Sequence, residues 1–188
     1  MRTPWIACAH RRIPALELAL ATAFAVLSGS GASAQAAGAG VDACSLLSAA
    51  DVHAFAPGLG AGHPGKTQRA NVSTCQWDNA HGIPVLMLEV VPAGASSLKE
   101  SLEEGMGPMG YSVVDVPDLG DEAAVAVQQA NPTYNIQPGV AILTVRVGKQ
   151  VLQLSPAGLN IQGPGSAGFQ AFKKAAATAA KRLKDRAG

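Results

Sequence analysis

The chain has few aromatic side chains and few charged ones, and each shortage restricts what it can be. Of its 188 residues, 4% are aromatic and 14% are charged. A core must therefore be built mainly from Val, Leu, Ile and Ala, because large rings are scarce. The chain also has no C-x-x-C pair and no G-x-S-x-G turn, so neither a redox dithiol nor a nucleophile elbow is indicated.

An apolar run long enough to span a membrane is also missing. The longest apolar segment, residues 13–27, is interrupted by Glu17 and has 15 residues, whereas a spanning helix needs about 20. Positive charges precede it and small residues follow it: Arg2, Arg11 and Arg12, then Ala32-Ser33-Ala34. This order is typical of a secretory signal. We expect residues 1–36 to be a cleaved signal peptide, cut after Ala34 or Ala36.

The remaining residues, 37–188, then form a single exported domain, periplasmic or extracellular, with no membrane span after cleavage. Cys8 precedes the apolar run and Cys44 lies far beyond it, so neither position suits a lipoprotein cleavage site. Export by the twin-arginine route stays open because of the pair Arg11-Arg12. Without the leader the chain has 11 Lys and Arg against 12 Asp and Glu, a net charge of 11 − 12 = −1. Such a balance predicts no nucleic-acid partner.

Two cysteines, Cys44 and Cys75, remain after cleavage. An even pair in an oxidising compartment favours a disulfide. The alternative is a redox or metal-binding pair, which would favour closer spacing. We therefore predict a structural disulfide between Cys44 and Cys75.

Apolar periodicity and turn residues predict an α+β fold: a mostly antiparallel β-sheet packed by an N-terminal and a C-terminal α-helix, with one disulfide. A capping box at Ser48 predicts a helix that runs to Ala56. A second capping box at Ser97 predicts a helix that ends at Gly105. A final helix begins at Ser166. Strands are predicted over 74–79, 85–91, 111–116, 123–128, 140–147 and 150–155, with 85–91 an interior strand covered on both faces.

One stretch, Gly60 to Thr67, matches the phosphate-binding pattern G-x-x-x-x-G-K-[ST]. That chemistry requires a strand before the loop and a helix after it. Here a helix is predicted before the loop, and Pro64 removes one amide from it. We therefore interpret the stretch as a Gly/Pro-rich loop and predict no nucleotide cofactor.

Metal ligands and acid–base groups are sparse. The mature histidines, His53, His63 and His81, lack ligand spacing. A soft-metal site at Met106 and Met109 with Met87 and His81 is the weaker alternative to gap filling by Met106 and Met109. A calcium site in the acidic stretch 115–122 is the weaker alternative to turn chemistry. We predict no metal and no cofactor.

Four segments carry a resemblance to a known family: 44–52, Ser73-Thr74-Cys75-Gln76-Trp77, 117–123 and 143–148. Together they resemble a family of small exported bacterial proteins, many of them actinobacterial lipoproteins of unknown function, that are similar to extracellular sensor domains of Ser/Thr kinases. The resemblance implies a Cys44–Cys75 bridge, a helix-and-sheet sandwich and a cleft for a small ligand. It supplies no catalytic residues, and this chain lacks the lipid-attachment cysteine of many members.

The leading functional hypothesis is a non-enzymatic domain that binds a ligand or a partner protein at the cell envelope. Long Gly/Pro loops over 57–73, 129–139 and 156–165 support it, because binding residues concentrate on loops held by a rigid scaffold. Candidate contact residues are Trp77, Tyr134 and Ile136, although Trp77 beside Cys75 also suits a core position. The alternatives are an envelope hydrolase that uses Asp121 or Glu122 with a histidine, and a structural accessory subunit.

Overall fold

A computed structural model describes residues 40–65, 70–131, 133 and 136–187; the predicted signal peptide lies outside this part of the chain. Seven antiparallel strands form one sheet, in the order β1-β2-β3-β7-β6-β5-β4. Their bounds are β1 His63–Pro64, β2 Ser73–Asp78, β3 Pro84–Pro92, β4 Tyr111–Asp115, β5 Glu122–Gln128, β6 Gly139–Val147 and β7 Gln150–Ser155. The predicted antiparallel α+β fold is confirmed.

Helices cover both faces of the sheet. The helices are α1 Ala49–His53, α2 Leu98–Met106 and α3 Ala167–Ala187. Helix α3 packs on one face against β6 and β7 and also contacts α1, while α2 packs over β4, β5 and β6. Leu98 and Leu102 of α2 form a separate cluster with Ala124, Ala126 and Val151. The terminal helices therefore share one face, and the middle helix covers the other.

The larger core cluster lies between α3 and the sheet and is mostly aliphatic, as the composition predicts. The apolar stripe of α3 is fully buried there: Phe169, Phe172, Ala176, Ala179 and Leu183. Phe172 makes an edge-on ring contact with Phe55, with ring centroids 5.2 Å apart. Long aromatic stacks are not needed, because small Ala side chains let the helix approach the strands closely.

The predicted disulfide between Cys44 and Cys75 is present. It joins a 3₁₀ helix, Ala43–Ser45, to the third residue of β2. The two cysteines are 31 residues apart, a separation for which loop closure in the unfolded chain corresponds to about 3–4 kcal/mol of stability. Beside the bridge, Gly62 lies so close to Cys75 and Trp77 that a Cβ there would be 2.6 Å from both side chains. The loop that precedes β1 therefore packs directly against the disulfide.

Helix starts are confirmed and two helix ends are wrong. Ser48 with Asp51, and Ser97 with Glu100, form the two predicted capping boxes. Helix α1 ends at His53 instead of Ala56, although the residues that follow continue as a turn. Gly105 does not end α2, because a glycine can keep helical dihedrals at a modest entropic cost. The chain remains helical through Met109 and reverses at Gly110, whose φ is 84°.

Strand β3 is an interior strand, as predicted, but its two faces are unequal. Leu86, Leu88 and Val90 are buried under the main core. Met87 and Glu89 on the other face are half-buried, because α2 lies over the far half of the sheet. The predicted cover on both faces is therefore only partly right.

A charged contact ties α1 to α3. Asp51 Oδ2 accepts hydrogen bonds from Ser48 N at 2.8 Å and from Arg182 Nη1 at 2.7 Å. The same Arg182 nitrogen donates to Leu46 O at 2.8 Å. Partial burial raises the pKa of Asp51, but the hydrogen bonds from Ser48 and the nearby Arg182 outweigh it and hold that pKa below its ordinary value. The carboxylate therefore links a short helix, which would be marginal alone, to the long one.

This contact predicts a pH-dependent stability. A carboxyl with a depressed folded pKa stabilises the fold above its unfolded pKa of about 3.9, and that contribution is lost as pH falls through the folded value. We expect Asp51→Asn to cost about 1 kcal/mol near neutral pH, with the difference from wild type narrowing below about pH 4. Urea unfolding at several pH values measures it, with Asp185→Asn as the exposed control. A difference that is constant with pH would contradict the assignment.

Candidate functional site

A groove of about 320 Å³ lies between the loop 116–121, which precedes β5, and the C-terminal half of α3. The loop contributes one wall, α3 contributes the other, and Val147 closes the end at the β6–β7 turn. Its lining residues are Asp118, Leu119, Gly120, Asp121, Val147, Ala177, Ala180, Lys181 and Lys184. A volume of this size is at the lower end of those that hold small ligands.

The loop is held in one shape by its backbone and by its own carboxylate. Asp118 and Gly120 both have left-handed φ angles, 59° and 65°. A Cβ at Gly120 would lie 2.5 Å from Arg146 O, so only glycine fits there. Asp121 Oδ2 accepts from Gly148 N at 2.6 Å, and its own N–H donates to Arg146 O at 2.9 Å. The groove wall is therefore fixed to the β6–β7 turn.

The loop 116–121 is also anchored to the core and to α3. Val116 and Leu119 are buried in the main core, and Lys173 Nζ donates to Pro117 O at 2.8 Å. A second cavity of about 260 Å³, lined by residues 115–123, lies along the same loop. One rigid segment therefore borders both cavities.

The groove carries both signs of charge. The side chains of Lys184 and Asp118 are exposed. Neither side chain makes an ion pair or a hydrogen bond within the part of the chain that the structure describes. Lys181 is 3.8 Å from Asp185 in an exposed pair on the helix surface, which is a weak interaction. Cations on one wall and a carboxylate on the other suit a ligand that itself carries an anionic and a cationic group.

The carboxylates of the hydrolase hypothesis have structural contacts. Glu122 Oε2 lies 2.9 Å from Arg146 Nε, and Glu122 Oε1 accepts from Leu98 N at 2.5 Å. Arg146 also donates to Gly94 O at 2.9 Å and to Ser96 O at 2.7 Å. The pair thereby fixes the segment before α2, and the first amide of that helix, onto β5 and β6. Among the contacts of residues 40–65, 70–131, 133 and 136–187, none joins Asp121 or Glu122 to a histidine.

The three histidines lie apart, each with a local contact. His53 Nε2 is 2.8 Å from Leu59 O, and His63 Nε2 is 3.1 Å from Asp78 Oδ2. His81 lies in the turn before β3, where its backbone N–H donates to Asn79 Oδ1. Within the described ranges, no three His, Cys, Asp or Glu side chains come together as a metal site would require.

The methionines of the soft-metal alternative also differ from one another. Met106 packs against the α2 cluster, as gap filling predicts. Met109 is 65% exposed, so it does not fill a gap. The structure places it at the surface, because the chain is still helical there and turns only at the next residue.

The stretch that matches a phosphate-binding loop lacks the strand before it, because α1 and a turn precede residue 60. His63–Pro64 is instead edge strand β1, in register with Gln76 and Cys75. The Gly65 amide donates to Thr74 O at 3.0 Å, so it serves strand pairing. Lys66 and Thr67 lie outside the described residues.

Of the predicted contact residues, Trp77 is 1% exposed and belongs to the core. Its indole Nε1 is buried and has no hydrogen-bond partner within the described residues. Ile136 is half-buried and forms a β-bridge with Asn131, which orders the ends of the loop between β5 and β6. Tyr134 falls outside the described residues. Trp77 therefore offers no contact surface here.

The loop over 156–165 also packs onto the core. Gly158 N donates to Val85 O at 3.0 Å, and Ile161 is buried beside Val140. This loop closes one end of the main core.

The groove residues also suit other roles in the sequence. Lys181 and Lys184 lie near the C-terminal end of α3, where cations suit the helix dipole, and the acidic stretch 115–122 suits turns. The usable signal was the helical spacing of Ala177, Ala180 and Lys184, which places them on one side of α3. Which loop faces that side could not be known before the strand order was known.

The Glu122–Arg146 pair generates a stability prediction. Arg146→Ala leaves a half-buried carboxylate unpaired and frees two carbonyls, so we expect a loss of about 2 kcal/mol in the free energy of unfolding. Lys99→Ala removes an exposed helix pair with Glu103 and should cost about 0.5 kcal/mol or less. Chemical denaturation compares the two variants, and equal losses would show that the pair does not hold α2.

Comparison with known proteins gives no relative to add to this geometry: no protein-family model, no curated protein and no solved structure matches the chain. The resemblance to small exported bacterial domains therefore stays a prediction from four short segments. The function has to be argued from the chain's own residues.

Proposed function

We propose that the chain is an exported, non-enzymatic domain that binds a small ligand or a partner segment in the groove between loop 116–121 and α3. The observation that carries the proposal is the pair of uncompensated charges, Asp118 and Lys184, on opposite walls of one fixed groove. Charged groups without partners contribute little to the fold, and they are available to a ligand.

A further observation supports export. The Cys44–Cys75 bridge is present, and such bridges persist mainly in oxidising compartments. The leader pattern of residues 1–36 completes the argument.

The ligand class follows from the lining. Lys181 and Lys184 suit a carboxylate or another anionic group, whereas Asp118 suits an ammonium group. The α3 wall has only small apolar side chains at Ala177 and Ala180. The groove volume of about 320 Å³ limits the ligand to a compact molecule. An amino-acid-like molecule, or the charged end of a peptide, has this combination.

Export is tested by the intact mass of the protein from its native host. We expect a species that lacks the residues up to Ala34 or Ala36 and is lighter by two hydrogens, because one disulfide has formed. A product that still begins at Met1, or one with two free thiols, would contradict the proposal.

Binding is tested by NMR titration of the mature chain with a mixture of free amino acids. We expect amide shifts at Leu119 and Gly120, and we expect Lys184→Glu to weaken apparent binding at least about tenfold, since it reverses one groove charge. The matched control is Lys174→Glu, an exposed lysine of the same helix outside the groove.

Retained binding in Lys184→Glu, or shifts confined to another surface, would contradict binding in the groove. An equal loss in both lysine variants would show that only the overall charge matters. The disulfide mass shift reports separately on export, so the two parts of the proposal can fail independently.

A further inference from the structure

The sheet has two edges, and they differ in how open they are. The edge at β1 is short, two residues that include Pro64, and proline cannot pair on its N–H side. The edge at β4 runs over five residues, Tyr111–Asp115, with no proline, no lysine and an unbroken register against β5. Natural edges of this length are normally blunted by such devices.

The backbone of β4 presents a defined set of outward groups. Val116 N donates to Ala123 O, and these residues continue the β4–β5 register. Because hydrogen-bonded and non-hydrogen-bonded pairs alternate in an antiparallel ladder, Ser112 and Val114 bond to β5. Tyr111, Val113 and Asp115 therefore point their N–H and C=O groups away from the sheet.

The same edge exposes apolar side chains. Val114 is 39% exposed and Met109, just before β4, is 65% exposed. They are two of the three large hydrophobic residues that are exposed in the described part of the chain, the third being Ile83. An open edge with apolar side chains beside it is a site for strand addition.

We propose that the occupant is a second copy of this chain, with its β4 antiparallel to the first about a two-fold axis through Val113. In this register Val113 meets Val113 of the other copy, and Tyr111 meets Asp115. Each outward N–H and C=O of one strand, at Tyr111, Val113 and Asp115, then lies opposite outward groups of the other strand. A register shifted by one residue would oppose outward groups to inward ones. A shift by two residues would pair only three of the five residues of β4, so the two-fold at Val113 is the matched register that pairs the whole strand.

Charge also favours a second copy. Asp115 is the only Asp, Glu, Lys or Arg in β4, and the two-fold places it opposite Tyr111 and not opposite the other Asp115. Residues 37–188 have a net charge of 11 − 12 = −1, so two copies repel each other weakly. The two seven-stranded sheets become one continuous sheet of double width.

Sedimentation velocity of the mature chain over a range of concentrations tests the proposal, and we expect a reversible dimer. Val113→Pro removes an outward N–H without touching the β4–β5 bonds, so we expect a monomer. Because Val113 also packs against the α2 cluster, this monomer should still unfold in one cooperative thermal transition, but at a lower temperature than wild type. The control is Ile83→Lys, which changes the exposed apolar residue just before β3. Three strands separate β3 from β4 in the sheet, so this variant should leave the dimer intact. A wild-type monomer at all concentrations, or a dimer unchanged in Val113→Pro, would overturn the proposal.

A second measurement stands even if Val113→Pro does not fold. In the proposed register Ser112 faces Val114 of the other copy as a non-hydrogen-bonded pair, with Cα atoms about 4.5 Å apart, which a disulfide can span. Mixing a Ser112→Cys chain with a Val114→Cys chain under oxidation should give a covalent dimer. Each chain oxidised alone should not, because its cysteines lie too far apart across the two-fold. Equal cross-linking in all three samples, or none in the mixture, would overturn the register.

Discussion

The constraint on which the fold depends is that the half of the sheet around β5 is apolar on both faces. On β5, Val125 belongs to the core under α3, while Ala124 and Ala126 belong to the cluster under α2. Neither face can be left to solvent, so one helix must lie on each side. The small residues of β5 also let α2 come close, which compensates for the scarcity of large rings.

Holding α2 in place requires a polar link, because the helix is only nine residues long. Glu122 and Arg146 provide it where β5 and β6 run side by side. Asp121, next to Glu122, accepts from the amide of Gly148, two residues beyond Arg146, and so holds loop 116–121 to the β6–β7 turn. The groove wall and the seat of α2 are thus two consequences of one junction, and neither can shift without the other.

The two sheet edges show how one fold can be closed at one end and open at the other. At β1 the edge strand has two residues, one of which is Pro64, and Gly62 just before it lies against the disulfide and the buried Trp77. At β4 the strand ends in the loop that forms the groove wall. A second copy at this edge would therefore lie next to the groove-forming segment, which connects the proposed assembly to the proposed binding site through shared residues 115–118.

The sequence by itself determined the features that depend on neighbours a few residues apart. The capping boxes at Ser48 and Ser97 follow from hydrogen bonds between residues three apart in the chain. The structure confirms the disulfide that the even pair Cys44 and Cys75 beyond residue 36 predicts. The spacing of apolar residues along the sequence was enough to predict the α+β fold class.

Only the tertiary structure decided what depends on distant parts of the chain meeting. Glu122 was a candidate acid until β6 placed Arg146 beside it, and Trp77 was a candidate contact until Gly62 and the core enclosed it. The groove joins residues about 60 positions apart, Asp118 and Lys181. Local patterns carry no information about such pairs, because strand order and helix placement are set by burial of the whole sheet.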